Sequence, residues 1–146
     1  MSGRRRRFQR FILSSPPPRL PRGALIVVAD EKPALLDMIV RTLRAADHRV
    51  FQAYDGQAAF ELSLALDIQL LITNTRMPGL NGAELIRHVR ALLPTLPILH
   101  IQNEGEALNR GPDGIPADVP TLIEPFTAEE LLAAVRPLLQ RSGKSK

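Results

Sequence analysis

Between Gly23 and Leu139 the chain alternates between two hydrophobic rhythms. The run Ala24-Leu25-Ile26-Val27-Val28-Ala29 is short and unbroken, and it ends at Asp30. Such runs fit a parallel strand covered on both faces. Leu35, Leu36, Met38, Ile39, Leu43 and Ala46 then recur at helical spacing, with Pro33 at the position a helix start tolerates. The same reading gives a strand over 50–53 and a helix opened by Asp55-Gly56. It continues with a strand over 69–73, a loop over 77–82, a helix over 83–93 and a strand over 96–101. A short strand over 121–123 comes last, and Thr127 and Glu130 form a capping box for the final helix. Strands alternating with helices predict an α/β fold, a parallel sheet with helices on both faces. Ligands of such sheets bind at the carboxyl ends of the strands, where Asp30, Asn74 and Gln102 are predicted to stand.

The segment 103–120 breaks the alternation. It holds three glycines and three prolines in eighteen residues, so at most a turn or two of helix is expected, around 104–109. The fourth helix is therefore expected to be weak or missing.

Charge divides the chain into three parts. Residues 1–22 carry seven arginines and no acid, and residues 141–146 carry three basic residues and no acid. The intervening 23–140 hold nine basic and fifteen acidic residues, so an acidic body lies between basic ends. Prolines and like charges predict a disordered tail over 1–22 and a frayed end over 141–146. The adjacent arginines suggest twin-arginine export, but the apolar stretch Phe8–Leu13 is broken by Gln9 and Arg10 and is too short for it. The tail is more simply a solvated arm, with nucleic acid or an anionic membrane as its only charge-driven partners. The chain has no cysteine, which excludes disulfides and thiolate chemistry, and no apolar run approaches a membrane span. His48, His88 and His100 lack the spacing of a metal site or a catalytic triad.

Five pieces in order are more specific: LIVVADE running into PALLDMIVRTLR, then AYDGQAA, LLITNTRMPGLNGAELIRHVR, LPILHIQ and IEPFTAEEL. Over Ala24–Leu139 the chain resembles the receiver domains of bacterial response regulators, with MPGLNG the most telling piece. The resemblance implies a flavodoxin-like (βα)5 doubly wound five-stranded sheet. It also implies a single-domain module of two-component phosphorelay signalling that is not an enzyme and works in the cytoplasm. In that family two acids and an aspartate hold magnesium, the aspartate accepts a phosphoryl group, and a serine or threonine and a lysine bind its oxygens.

The matching positions depart from this pattern. Asn74 stands at the phosphoacceptor position, and a carboxamide is a poor nucleophile. Gln102 replaces the serine or threonine, Glu124 the lysine, and Thr121 the aromatic switch residue. Asp30 and Glu31 match the acidic pair and imply weak binding of Mg2+ or another divalent cation, with Asn74 and the Arg76 carbonyl as further oxygens; no cofactor is certain. Three carboxylates, Asp30, Glu31 and Glu124, could come together with no lysine, which predicts either a bound cation or a raised carboxyl pKa; the alternative is that Glu124 turns outward into water. Glu124-Pro125 is expected, by resemblance, to be cis. The expectation is a receiver that has lost phosphotransfer and binds a protein partner, a histidine kinase or another signalling protein. The alternatives are a regulator phosphorylated elsewhere (Thr73, Thr75 or Asp30) and a nucleic-acid or membrane binder acting through the arginine tail.

Overall fold

A computed structural model of the protein describes residues 23–106, 110 and 113–144. The elements run β1 (Leu25–Ala29), α1 (Pro33–Ala45), β2 (Arg49–Ala53), α2 (Gly56–Ala65), β3 (Leu70–Asn74), α3 (Gly82–Leu92), β4 (Ile98–Asn103), β5 (Thr121–Glu124) and α4 (Ala128–Lys144). All five strands are parallel, in the order β2-β1-β3-β4-β5. This is the doubly wound sheet that the alternating pattern predicts.

The two-residue period of the strands sorts the core into two layers. Ile26, Val28, Leu70, Ile72, Leu99 and Ile101 face Leu36, Ile39 and Leu43 of α1 and Leu131, Val135 and Leu138 of α4. Their neighbours Leu25, Val27, Leu71 and Ile98 face Ala59 of α2 and Leu85, Ile86 and Val89 of α3. Every residue of β1 and β3 is buried, which explains why both read as unbroken apolar runs.

Helix starts follow local chemistry. Pro33 opens α1, and the Asp55 carboxylate accepts from the Ala58 N–H at 2.7 Å to cap α2. Asn81 and Glu84 form a capping box on α3, and Thr127 and Glu130 form the expected one before α4. Strand β4 lies two residues later than the pattern predicts, over 98–103, so Gln102 is inside the strand rather than beyond it.

Among the described residues no helix lies between β4 and β5. Residues 107–109 and 111–112, on which the expected turn of helix partly falls, are outside the described residues, as are the tail 1–22 and residues 145–146. The described part of this connection still contributes to the core. Ile115 and Val119 are buried, 3% and 1% exposed, in the layer shared with α2 and α3.

Two glycines press helix starts against the loop after β3. A Cβ at Gly56 would strike the Leu80 carbonyl, and one at Gly82 would strike the Asn74 carbonyl. Gly82 also donates its N–H to Thr75 O at 2.8 Å. Only glycine lets α3 begin this close to the end of β3. We therefore expect Gly82→Ala to destabilise the fold by about 1–3 kcal/mol, as overpacked sites do. Urea denaturation checks this, with Gly105→Ala, where a Cβ has open space around it, as a comparison for backbone strain alone.

Candidate functional site

Parallel register gathers the carboxyl ends of the strands at one rim. Ala29 pairs with Ala53 and Thr73, Asn74 with Ile101, and Asn103 with Glu124. The register thus brings Asp30, Asn74, Gln102, Asn103 and Glu124 together, while Glu31 turns out to the surface.

Asp30 and Asn74 are each 1% exposed. The Asn74 Nδ2 donates to Asp30 Oδ2 at 2.9 Å, and the Arg76 N–H reaches Asn74 Oδ1 at 3.3 Å. The two contacts fix the amide orientation, since a flipped carboxamide would set oxygen against carboxylate. The second Asp30 oxygen, Oδ1, accepts from the Lys32 N–H at 2.9 Å. Burial pushes the Asp30 carboxyl above the usual carboxylate range. The Lys32 N–H, the Asn74 amide and the Lys32 charge pull it partly back, and the Glu124 charge adds a little to the rise.

The expected crowd of three carboxylates without a lysine does not form. Lys32 supplies the cation: its Nζ contacts Glu124 Oε2 at 3.1 Å, Glu124 Oε1 at 3.2 Å and Asn103 Oδ1 at 2.9 Å. The ammonium therefore reaches this rim from the loop after β1, while the strand β5 position carries its counter-ion. Glu124 does not turn away into water; its side chain is 23% exposed and bound to Lys32. The raised carboxyl is found, but on Asp30, and burial rather than carboxylate crowding is its main cause.

Both Asp30 oxygens are engaged, and Glu31 is the one acid of the pair left open. Among the described residues no group of three His, Asp or Glu side chains is placed to hold a metal. Magnesium demands a nearly ideal octahedron of oxygens, and each Asp30 oxygen already accepts one hydrogen bond here. The Arg76 side chain turns to Glu106, with Nε 3.1 Å from Oε2.

Gln102 is buried, and its Nε2 donates to the Glu106 carbonyl at 2.9 Å, tying down the turn after β4. It borders an open cavity of about 630 Å3 with Glu31, Thr75, Met77, His100 and Ile115. Thr121 lies under this connection and accepts from Arg110 Nη2 at 3.0 Å. His100 is fully buried between two hydroxyls, with Nε2 2.7 Å from Thr75 Oγ1 and Nδ1 3.1 Å from Thr121 Oγ1. Burial and the neighbouring Arg110 charge push its pKa down to about 4. The Glu124-Pro125 peptide is cis, as the resemblance implied.

Sequence reasoning missed Lys32, Asn103 and His100. The one signal available for Lys32 was its charge, opposite to that of Glu124, at a position next to the acidic pair. His100 carried only the hint of a titratable residue inside an apolar strand.

Strand order and the gathered rim together define a receiver fold. Residues 26–136 match the response regulator receiver domain family, and the chain belongs to it. Among its relatives, response regulator MprA of Mycobacterium ulcerans is 31% identical over 118 residues, covering 80% of this chain and 50% of that protein. The DNA-binding dual master transcriptional regulator RpaA of Synechocystis sp. is 29% identical over 127 residues, covering 82% of this chain and 50% of that protein. The chain thus spans about half the length of these curated relatives. In structure it is similar to a response regulator receiver domain protein from Clostridium thermocellum, with a TM-score of 0.74 at 22% identity, covering 84% of this chain and 99% of that one. It is also similar to the chemotaxis response regulator CheY4 of Vibrio cholerae, with a TM-score of 0.71 at 24% identity, covering 80% and 98%. At those identities the likeness shows the fold.

Two expectations follow from the geometry. Asn74→Asp removes the amide donor and sets a second carboxylate against Asp30 Oδ2. It should cost about 1–3 kcal/mol at pH 7, the range for a buried group left unsatisfied. One carboxyl of the new pair would hold its proton to higher pH, so stability should return as pH falls. Added magnesium should also raise the melting temperature of the variant while leaving wild type nearly unmoved; thermal melts with and without the metal check both statements.

His100 sets a second pH dependence. Its folded pKa of about 4 lies below the ordinary value of 6.5. The unfolded chain takes up the proton first as pH falls, so the stability contributed by the neutral ring is complete above about 6.5 and is lost toward 4. The loss is on the order of 3 kcal/mol at most. Asp30, whose pKa is raised, acts in the opposite sense above 3.8. Urea midpoints from pH 7 to pH 4.5, in wild type and in His100→Gln, should show a slope that the variant flattens.

Proposed function

We propose that this receiver works without phosphorylation, as a protein-binding module of two-component signalling in the cytoplasm. Its partner would be a histidine kinase or another signalling protein. The observation that carries this reading is Lys32, whose ammonium is held at the strand ends by Glu124 and Asn103. The position that would attract phosphoryl oxygens carries a carboxylate, and the nearby cation already has its counter-ion. Asn74 supports the same reading, because both ends of its amide are committed to Asp30 and Arg76 and an amide does not attack phosphorus usefully at neutral pH. Asp30 and Glu31 hold a divalent cation at most weakly, since one lone pair on each Asp30 oxygen is already taken by the Lys32 N–H or the Asn74 amide.

Phosphorylation at another residue has little support. Thr73 is buried with its hydroxyl on the Asn74 carbonyl, Thr75 is bound to His100, and both oxygens of Asp30 are occupied. Contact with nucleic acid or an anionic membrane through the arginine tail concerns residues outside those described. It predicts salt-sensitive binding that disappears when 1–22 are removed.

Intact mass after incubation with magnesium and a small acyl phosphate tests the main reading. Wild type should gain no phosphoryl group. A variant combining Asn74→Asp, Gln102→Thr, Glu124→Lys and Lys32→Ala should gain one, because it restores the acceptor and the lysine on β5 and clears the competing ammonium. Labelling of wild type would overturn the proposal and direct attention to the modified residue.

A further inference from the structure

His100 lies midway along a row that crosses three strands. Its Cα partners are Thr73 on β3 and Thr121 on β5, and its ring faces the layer beneath the β4–β5 connection. The ring spans from Thr75, the residue after Asn74, to Thr121, and Arg110 continues the chain of contacts outward. Arg110 also binds the connection itself, through Nη1 to the carbonyls of Pro116 at 2.7 Å and Val119 at 3.2 Å.

Donor and acceptor chemistry gives this chain a single direction. A guanidinium only donates, so Thr121 Oγ1 accepts from Arg110. The one hydroxyl proton of Thr121 is then free to donate to His100 Nδ1. The ring proton resides on Nε2 and donates to Thr75 Oγ1, and the Thr75 hydroxyl turns to the Ile101 carbonyl at 3.4 Å. In the opposite arrangement Arg110 and an Nδ1–H would both donate to Thr121 Oγ1, which leaves the Thr121 hydroxyl proton with no part in the chain. A protonated ring would put a second N–H against Thr121 beside the Arg110 guanidinium, in agreement with the low pKa of the histidine.

We propose that neutral His100, as the Nε2–H tautomer, is a positioning residue that couples Thr75 at the end of β3 to Thr121 and Arg110, and so sets the arrangement of the β4–β5 connection from the rim. No contact in this relay involves a phosphoryl group, so the inference stands apart from the reading given under Proposed function. Thr75 becomes the control point: whatever moves it, a substitution or a partner pressing on the loop after β3, is felt at residues 116–121. The relay helps to order the described part of that connection, because Arg110 joins the same chain of bonds to the Pro116 and Val119 carbonyls.

Nitrogen-15 spectra of the imidazole in the intact, otherwise unaltered protein give the first test. The expected pattern is a protonated Nε2 and an unprotonated Nδ1 at pH 7. An Nδ1–H tautomer would overturn the proposal, because the chain of donors would then run the wrong way. The second test is amide exchange in Thr75→Val, a substitution that keeps shape and removes the hydroxyl. Exchange at Val119, whose N–H is bonded to the Pro116 carbonyl, should quicken by about tenfold, while amides of α1 such as Val40 keep their wild-type protection. The same substitution made in a His100→Phe background should no longer change exchange at Val119. A merely structural threonine would loosen its own loop and leave Val119 unaffected, and that result would overturn the coupling. The tautomer and the single Thr75 variant decide the matter even if His100→Phe fails to fold.

Discussion

Asp30 is a carboxylate buried at the end of a strand that is itself covered on both faces. Keeping an ionised carboxylate there costs several kcal/mol unless hydrogen bonds and charge offset it, and the rim of the sheet is arranged around that cost. The Lys32 N–H takes one oxygen and the Asn74 amide the other. The turn after β1 supplies the first and the sheet's register the second, because β1 and β3 are neighbours and end level with each other. The amide can do what an aspartate at 74 could not: it donates to Asp30 without adding a second negative charge. Asn74 is thus matched to its acidic neighbour.

The Lys32–Glu124 pair belongs to the same arrangement. Its side chains are 42% and 23% exposed, so its contribution to stability is that of a partly solvated ion pair, about 0.2–1 kcal/mol. Its larger effect is placement. Lys32 is the residue before α1, and its ammonium, which has no acceptor, cannot cap that helix; its chain extends across the rim to β5 instead. Its backbone serves Asp30 while its ammonium serves Glu124. Charge is balanced locally at both ends of one residue, and an incoming anion would have to compete with a carboxylate already in place.

Much of the fold was legible from residue pattern. Period-two and period-3.6 runs separate cleanly in a chain whose central strands are buried on both faces, and Pro33 and the Thr127–Glu130 box mark helix starts by local rules. The start of β4 was misplaced by two residues because Leu96 and Pro97 continue its apolar run, although Leu96 packs in the loop before the strand. The site was legible position by position but not as a set of contacts. Asp30, Asn74, Gln102 and Glu124 were all placed at or near strand ends, yet the partner of Glu124 lies 92 residues earlier in the chain. Nothing in local periodicity reports a contact at that separation. His100 was hidden for the same reason: its partners are 25 and 21 residues away, and a histidine within an apolar strand has no local pattern of its own.

The connection between β4 and β5 shows how the two parts of the molecule depend on each other. Its glycines and prolines disfavour a regular helix, yet the layer over α2 and α3 still needs apolar side chains there, and Ile115 and Val119 provide them. Residues without helical hydrogen bonds must find other partners for their backbone carbonyls. Arg110 is that partner for Pro116 and Val119 through Nη1, and its Nη2 donates to Thr121. A helix would satisfy its own backbone and leave the strands beneath it independent. The described part of this connection draws its order from the sheet instead, through Thr121 and His100 to Thr75. The surface formed by this connection is therefore set by the same rim that holds Asp30 and Asn74, and it is held there by hydrogen bonds present without any added group.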